Sequence, residues 1–210
     1  MYNLSYFKEN NADVVIDFMK QHSFAMLIGV DENNKPVATQ VPLLLKQRDG
    51  AIILEGHMMK QTDHYKAFEK NKNALVVFSG AHTYVSASLY ENKQQASTWN
   101  YMSVHAKGEL VFLNDEQLLQ LLNELTSHYE NNEASPASYK HLPEDYVQRL
   151  SKAIIAFEIK VDSLENVFKL SQNRDEKSFD NIVSNLQDGD AEQKMVAAEM
   201  HKRKDEIFKK

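Results

Sequence analysis

Between Phe24 and Glu55 three strand-length runs follow one another with only turn residues between them. No other part of the chain limits the fold as much. Phe24 to Val30 (FAMLIGV) is almost wholly apolar and ends in Asp31-Glu-Asn-Asn-Lys-Pro36, a turn-forming cluster. Val37 to Leu45 reads as a second strand, and Gln47-Arg-Asp-Gly50 closes a hairpin to Ala51-Ile-Ile-Leu-Glu55. Links this short join antiparallel neighbours, so the chain begins as a meander, the usual start of a small barrel. Pro42 lies inside the second strand. Proline cannot donate to a ladder, which places it at an edge, at a bulge or where a ligand approaches.

Further strands follow at Asn73 to Ser79, His82 to Tyr90 and Thr98 to Leu113, the last two joined by the polar link Glu91-Asn-Lys-Gln-Gln. Helices surround them. Asn11-Ala-Asp13 caps one that carries Val14, Val15, Phe18 and Met19 on one face. Thr62 or Asp63 caps a short one through Tyr65 and Phe68. Asn114 with Gln117 spells a capping box before the apolar stripe Leu118, Leu121, Leu122 and Leu125. Asn131 to Leu142 is a polar linker, and Pro143 opens another helix. Ala153 to Val161 and Val167 to Ser171 then read as two strands on either side of a polar turn. Two helices finish the chain, the second capped by Asp190 with Gln193, and Gly189 stands between them. The pattern predicts a mainly β fold with peripheral helices (α+β), an antiparallel barrel in a single domain over residues 1–210. It carries a helical insertion at about 114–150 and a helical tail at about 174–210.

Several function classes drop out on composition. A net charge of −6 does not suit a generic nucleic-acid binder. No apolar run approaches the roughly 20 residues that cross a bilayer, so no membrane partner is expected. The first residues have neither the basic nor the apolar region of a signal peptide, and there is no Cys, which removes thiolate metal sites and cysteine nucleophiles. A cytoplasmic protein is expected. His57, His64, His82 and His105 lack helical i, i+4 spacing or a carboxylate in register, so no metal site is assigned.

Two stretches gather chemistry. Gly56-His-Met-Met-Lys60 runs from a strand end into a helix start, where His57 and Lys60 could meet an anion. Gly80 to Tyr101 holds the only Trp of the chain, Trp99, together with Tyr101 and His82, a set of flat faces and polar edges able to hold a planar heterocycle.

These stretches, with Ala38-Thr-Gln-Val-Pro-Leu43, Gly80-Ala-His-Thr-Tyr-Val-Ser86, Thr98-Trp-Asn-Tyr101 and Lys169-Leu-Ser-Gln-Asn173, resemble the PaiB family of FMN-binding negative transcriptional regulators. That family is built on the FMN-binding split barrel. The resemblance implies an antiparallel split β-barrel with C-terminal helices, a homodimer, FMN as cofactor, and DNA as a partner by resemblance alone. The implied cofactor contacts are Thr39, Val41 and Pro42 along one strand and His57, Met58 and Lys60 after the next. Trp99 and Tyr101 would cover a ring face or the dimer seam, and Gln172 and Asn173 would meet the ring edge. No catalytic residue is assigned, and whether the chain is an enzyme stays open. Two alternatives remain: a flavin-dependent oxidoreductase or flavin reductase acting on a small molecule, and a cofactor-free or haem-binding module on the same fold.

Overall fold

The strand expected from Val37 to Leu45 is two strands. In the computed structural model, which describes residues 1–2 and 4–209, β1 (Phe24–Val30) is followed by β2 (Pro36–Pro42) and β3 (Leu44–Arg48), with Leu43 alone between them. β2 pairs antiparallel with β1, from Phe24↔Pro42 to Val30↔Pro36. β3 turns instead to β4 (Ala51–Met59), from Leu44↔Glu55 to Arg48↔Ala51. Asp49 (φ 50°) and Gly50 (φ 78°) form the two-residue turn of that hairpin, a conformation that suits Gly and Asp. One bent run therefore serves two neighbours, and Leu43, 2 % exposed, is the corner.

The remaining strands are longer than the sequence suggests. β5 (Asn73–Val85) passes through Gly80 without a break and ends at a short 3₁₀ turn, Ala87–Leu89, while β6 spans Thr98–Phe112. β7 (Ile154–Lys169) joins the two strands expected at Ala153 to Val161 and Val167 to Ser171. The polar residues between them look like a turn, yet Asn166 is satisfied within the strand. Its Oδ1 accepts from Glu9 N (2.8 Å) and its Nδ2 donates to Glu9 O (2.9 Å), so the segment has no cause to leave the sheet. Among the described residues the seven strands run in the order β2-β1-β5-β6-β7-β4-β3, and the chain closes the ends of that order on each other through Leu43.

Five stretches of the chain alternate between two compact units. Residues 19–78 and 105–164 form one; residues 1–18, 79–104 and 165–210 form the other. The 19–78/105–164 unit holds β1 to β4 and parts of β5, β6 and β7. Inside it, Leu27, Leu54, Val76 and Phe157 are fully buried. Helix α2 (Asp63–Lys70), capped by Thr62, packs Phe68 into Gly29, where an added β-carbon would lie 2.6 Å from the ring. The expected capping box of α3 (Asp115–Glu130) is present. Leu118, Leu121 and Leu125 pack on Ala156, with Leu44, Leu113 and Ile154 beside them. Pro143 precedes α4 (Glu144–Ser151) as its N-cap. Glu55, 4 % exposed, is matched by Lys46 at 2.8 Å and by Arg48, so its charge is not buried alone.

The other unit takes most of α1 (Ala12–Gln21) and all of α5 (Glu176–Gln187) and α6 (Ala191–Ile207). Phe179, Ile182, Val196 and Met200 form its helical core. Asp190 and Gln193 make the capping box read from the sequence. Gly189 donates to Leu186 O (3.1 Å) without adopting positive φ; what it supplies is room, since Gln193 lies over its Cα. No helix among the described residues is long and apolar enough to cross a membrane.

Candidate functional site: the split between β2 and β4

Where β2 and β4 part company, main-chain groups are left over. Leu43 N donates to Ser23 O and Asp31 N to Lys35 O, both at 2.9 Å. These bonds bracket the β1–β2 ladder, and antiparallel pairs alternate between bonded and unbonded. Residues 37, 39 and 41 thus exchange bonds with β1, while Ala38, Gln40 and Pro42 turn their main chain the other way. Pro42 therefore costs no ladder bond, and the edge position expected of it is met.

The same reasoning fixes β4. Its two-residue hairpin makes Arg48↔Ala51 a bonded pair, and Lys60 N donates to Ala153 O at 2.9 Å. Even-numbered residues of β4 therefore serve β7, from Ile53↔Lys160 to Met59↔Ile154. His57 and Met59 point their N–H and C=O to the side that β3 no longer occupies. Gly56 stands at the vertex, where a β-carbon would come within 2.9 Å of Leu43 Cδ2 and 3.2 Å of the Pro42 oxygen. Beyond it the strands diverge into a groove of about 310 Å³. Thr39, Gln40, Val41 and Pro42 form one wall, His57, Met58 and Met59 the other, with Thr62, His64 and Ile154 completing it.

The polar side chains of this groove are fixed unequally. His64 places Nε2 3.1 Å from Thr62 Oγ1 and Nδ1 3.0 Å from Asp63 Oδ1, so both its nitrogens are engaged. The His64 main-chain N–H, and then its side chain, hold the Asp63 carboxyl below the usual carboxylate range. Thr62 Oγ1 also donates to Met59 O (2.9 Å). His57 differs: its Nδ1 is sealed from solvent with no partner, and burial lowers its pKa. A groove with open main-chain edges, an imidazole whose second nitrogen, Nε2, is not sealed, and apolar Val41, Met58 and Ile154 fits a flat heterocycle with polar edges.

Five of the ten residues predicted from sequence meet here: Thr39, Val41, Pro42, His57 and Met58. Sequence reading missed Gln40, Met59, Thr62, His64 and Ile154. For Gln40 a signal exists, since it shares the two-residue period of Pro42; Thr62 reads in the sequence as a helix cap, and His64 as a histidine without the spacing of a metal ligand. Lys60 is not with them. Its side chain lines another hollow, about 330 Å³, with Asp115, Leu119, Gln148, Ser151 and Lys152.

The other four predicted residues lie in the unit that holds α5 and α6. Trp99 and Tyr101 line a hollow of about 360 Å³ with His82, Gly80 and Met102. Trp99 is 54 % exposed; His82 stacks obliquely on it at 6.1 Å and Tyr84 meets it edge-on at 6.1 Å. Burial, and then the neighbouring Tyr2, raise the pKa of the Tyr101 hydroxyl. Gln172 is occupied locally, its Oε1 accepting from Leu170 N (2.7 Å) and its Nε2 donating to Phe168 O, so it finishes β7. Asn173 is exposed. The Lys169-to-Asn173 stretch acts as a clamp on the start of β6. Lys169 Nζ donates to Trp99 O (2.6 Å) and to Thr98 Oγ1, and Ser171 Oγ donates to the buried Asn100 Oδ1 (3.0 Å). Among the described residues, no three of His, Asp and Glu are grouped to hold a metal ion.

Comparison with known proteins bears on the family and the fold. Residues 1–163 match the family described as "Putative FMN-binding domain". Protease synthase and sporulation protein PAI 2 of Bacillus subtilis is 33% identical over 187 residues, which is 89% of either chain. Among solved structures, the FAD and heme binding protein from Mycobacterium smegmatis superposes with a TM-score of 0.56 at 16% identity, covering 77% of this chain and 72% of that one. The flavocytochrome Anf3 from Azotobacter vinelandii gives 0.56 at 14% identity, covering 80% and 72%. At such identities the structural likeness establishes the fold, a seven-stranded antiparallel split barrel with helices. The family match and the Bacillus relative establish more: the chain belongs to the PaiB family of FMN-binding proteins.

Proposed function

We propose that the chain holds FMN with the isoalloxazine ring in the split between β2 and β4, and that it serves as a homodimeric regulatory protein. The observation that carries the site is the pair of unpaired main-chain edges converging on Gly56. They offer N–H donors at Gln40 and Met59 and carbonyl acceptors at Gln40 and Pro42, beside His57. FMN, when bound, supplies a ring that accepts or gives up electrons; the chain's own groups orient that ring and keep water from it. The phosphate tail is assigned to the turn between β4 and α2, where Lys60 swings from its hollow to supply the charge.

Pairing of two copies is supported by the ring-rich face of β5 and β6. His82, Tyr84 and Trp99 are exposed and Tyr101 is half-buried, all on one side of the two strands, a surface better suited to contact than to solvent. Sedimentation at micromolar concentration is expected to give twice the 24.2 kDa chain mass. A 24.2 kDa species would remove the dimer.

The regulatory part follows the Bacillus relative, whose name ties it to protease synthesis and sporulation. Direct DNA contact is the part the charges support least. Arg203 at the end of α6 is held by Glu199 and lies 5.1 Å from the Phe168 ring, and Lys204 is held by Asp180 at 2.6 Å. A repressor gripping phosphates would instead lose DNA steeply as salt rises.

The deciding experiment is the absorption spectrum and mass of whatever purifies with the protein. A band near about 450 nm and the mass of FMN are expected; a colourless protein that takes up no added FMN would end the reading. Catalytic bleaching of that band by a nicotinamide reductant would make the chain an oxidoreductase instead. Lys60→Ala is expected to weaken FMN about tenfold, the scale of one charged hydrogen bond, while riboflavin, which has no phosphate, binds as before. Equal FMN affinity would take the phosphate away from Lys60.

A further inference from the structure

His57 is the one groove side chain with a sealed polar atom that nothing satisfies. Nδ1 has neither solvent nor partner among the described residues, whereas Nε2 makes no hydrogen bond within them and is not sealed. Neutral imidazole carries one N–H and one lone pair. A buried donor without a partner is rarer than a buried acceptor without one. The lone pair therefore belongs on Nδ1 and the proton on Nε2, the nitrogen that a ligand can reach. Loss of hydration keeps the ring uncharged, since burial disfavours imidazolium. The main chain of His57 itself also faces the split, so this residue meets a ligand with its backbone and its ring together.

We propose that His57 donates from Nε2 to an uncharged acceptor of the flavin ring, a carbonyl oxygen or a ring nitrogen, and makes no contact with the phosphate. This rests on the split being the flavin site. An uncharged donor gives a dianionic phosphate far less than a cation does, because the strong phosphate contacts are charge-assisted. Against a ring carbonyl the same donor forms an ordinary hydrogen bond and imposes an orientation. It thereby helps fix which edge of the heterocycle faces β4.

The test measures FMN and riboflavin side by side. His57→Phe keeps a flat ring but removes both nitrogens. It is expected to weaken both ligands equally, by about tenfold, while raising Tm, because the unsatisfied Nδ1 is gone. His57→Gln keeps a neutral donor and is expected to bind both within about threefold of the wild type. Loss confined to FMN would make His57 a phosphate contact and overturn the proposal. So would unchanged binding in the Phe variant, or a Gln variant as weak as the Phe variant. Wild-type protein that binds neither ligand is a separate failure, visible before any variant is made, and it removes the flavin site along with the proposal.

Discussion

Gly108→Val is expected to cost the fold about 3 kcal/mol and lower Tm by about 10 °C. Gly108 is buried in β6 beside β7, and a β-carbon there would drive into the Lys160 carbonyl oxygen and come within 3.1 Å of Ile159 Cγ2. The first of these is main chain, which cannot rotate aside as a side chain can. Relief requires the two strands to separate, and the bonds that hold them as sheet neighbours are then lost. A substitution at exposed Glu109 next door, such as Glu109→Gln, is expected to change stability by less than about 0.5 kcal/mol. Thermal unfolding of the two variants decides the matter. If Gly108→Val melts with the wild type, β6 and β7 are not packed closely enough at Gly108 to exclude a side chain.

The second large effect concerns the ligand. Thr39→Trp places an indole in the split from the β2 wall and is expected to lower FMN affinity by about a hundredfold, roughly 2.7 kcal/mol. Tm measured alongside separates a filled groove from a damaged fold, since Thr39 is half-buried in β2. Thr39→Ser, smaller and still hydroxylated, should bind within about threefold. Should Thr39→Trp purify yellow with full flavin content, the ring lies elsewhere, and the hollow beside Trp99 becomes the next place to look.

Much of this arrangement can be read from sequence because its causes are local. Both capping boxes, the Thr62 cap and the Asp49-Gly50 turn are set by residues within four positions of one another. Pro42 signals an edge through its own missing N–H. The misreadings have non-local causes. Nothing within Val37 to Leu45 marks Leu43 as the point where pairing passes from β1 to β4; the division shows only in the partners on either side. Asp162 to Asn166 has the composition of a turn, and neither its place between two other strands nor the bonds of the Asn166 side chain to the distant Glu9 main chain can be read from it. The candidate site divides the same way. Thr39, Val41 and Pro42 share a strand, so finding one finds the others. Lys60 lies only three residues from His57, yet β4 ends between them and their side chains enter different hollows. Gln172 and Asn173 looked free to meet a ligand. The first is consumed by the main chain of its own strand, a contact that spacing does not reveal.

The five alternating stretches mean that the backbone passes from one compact unit to the other four times. No single cut releases either unit whole, and no continuous fragment encodes one without the other. Recombination cannot shuffle them as independent modules, since a gene carrying half of this sequence would encode neither unit whole. Truncation and limited proteolysis should accordingly yield intact chain or small peptides, with no stable half.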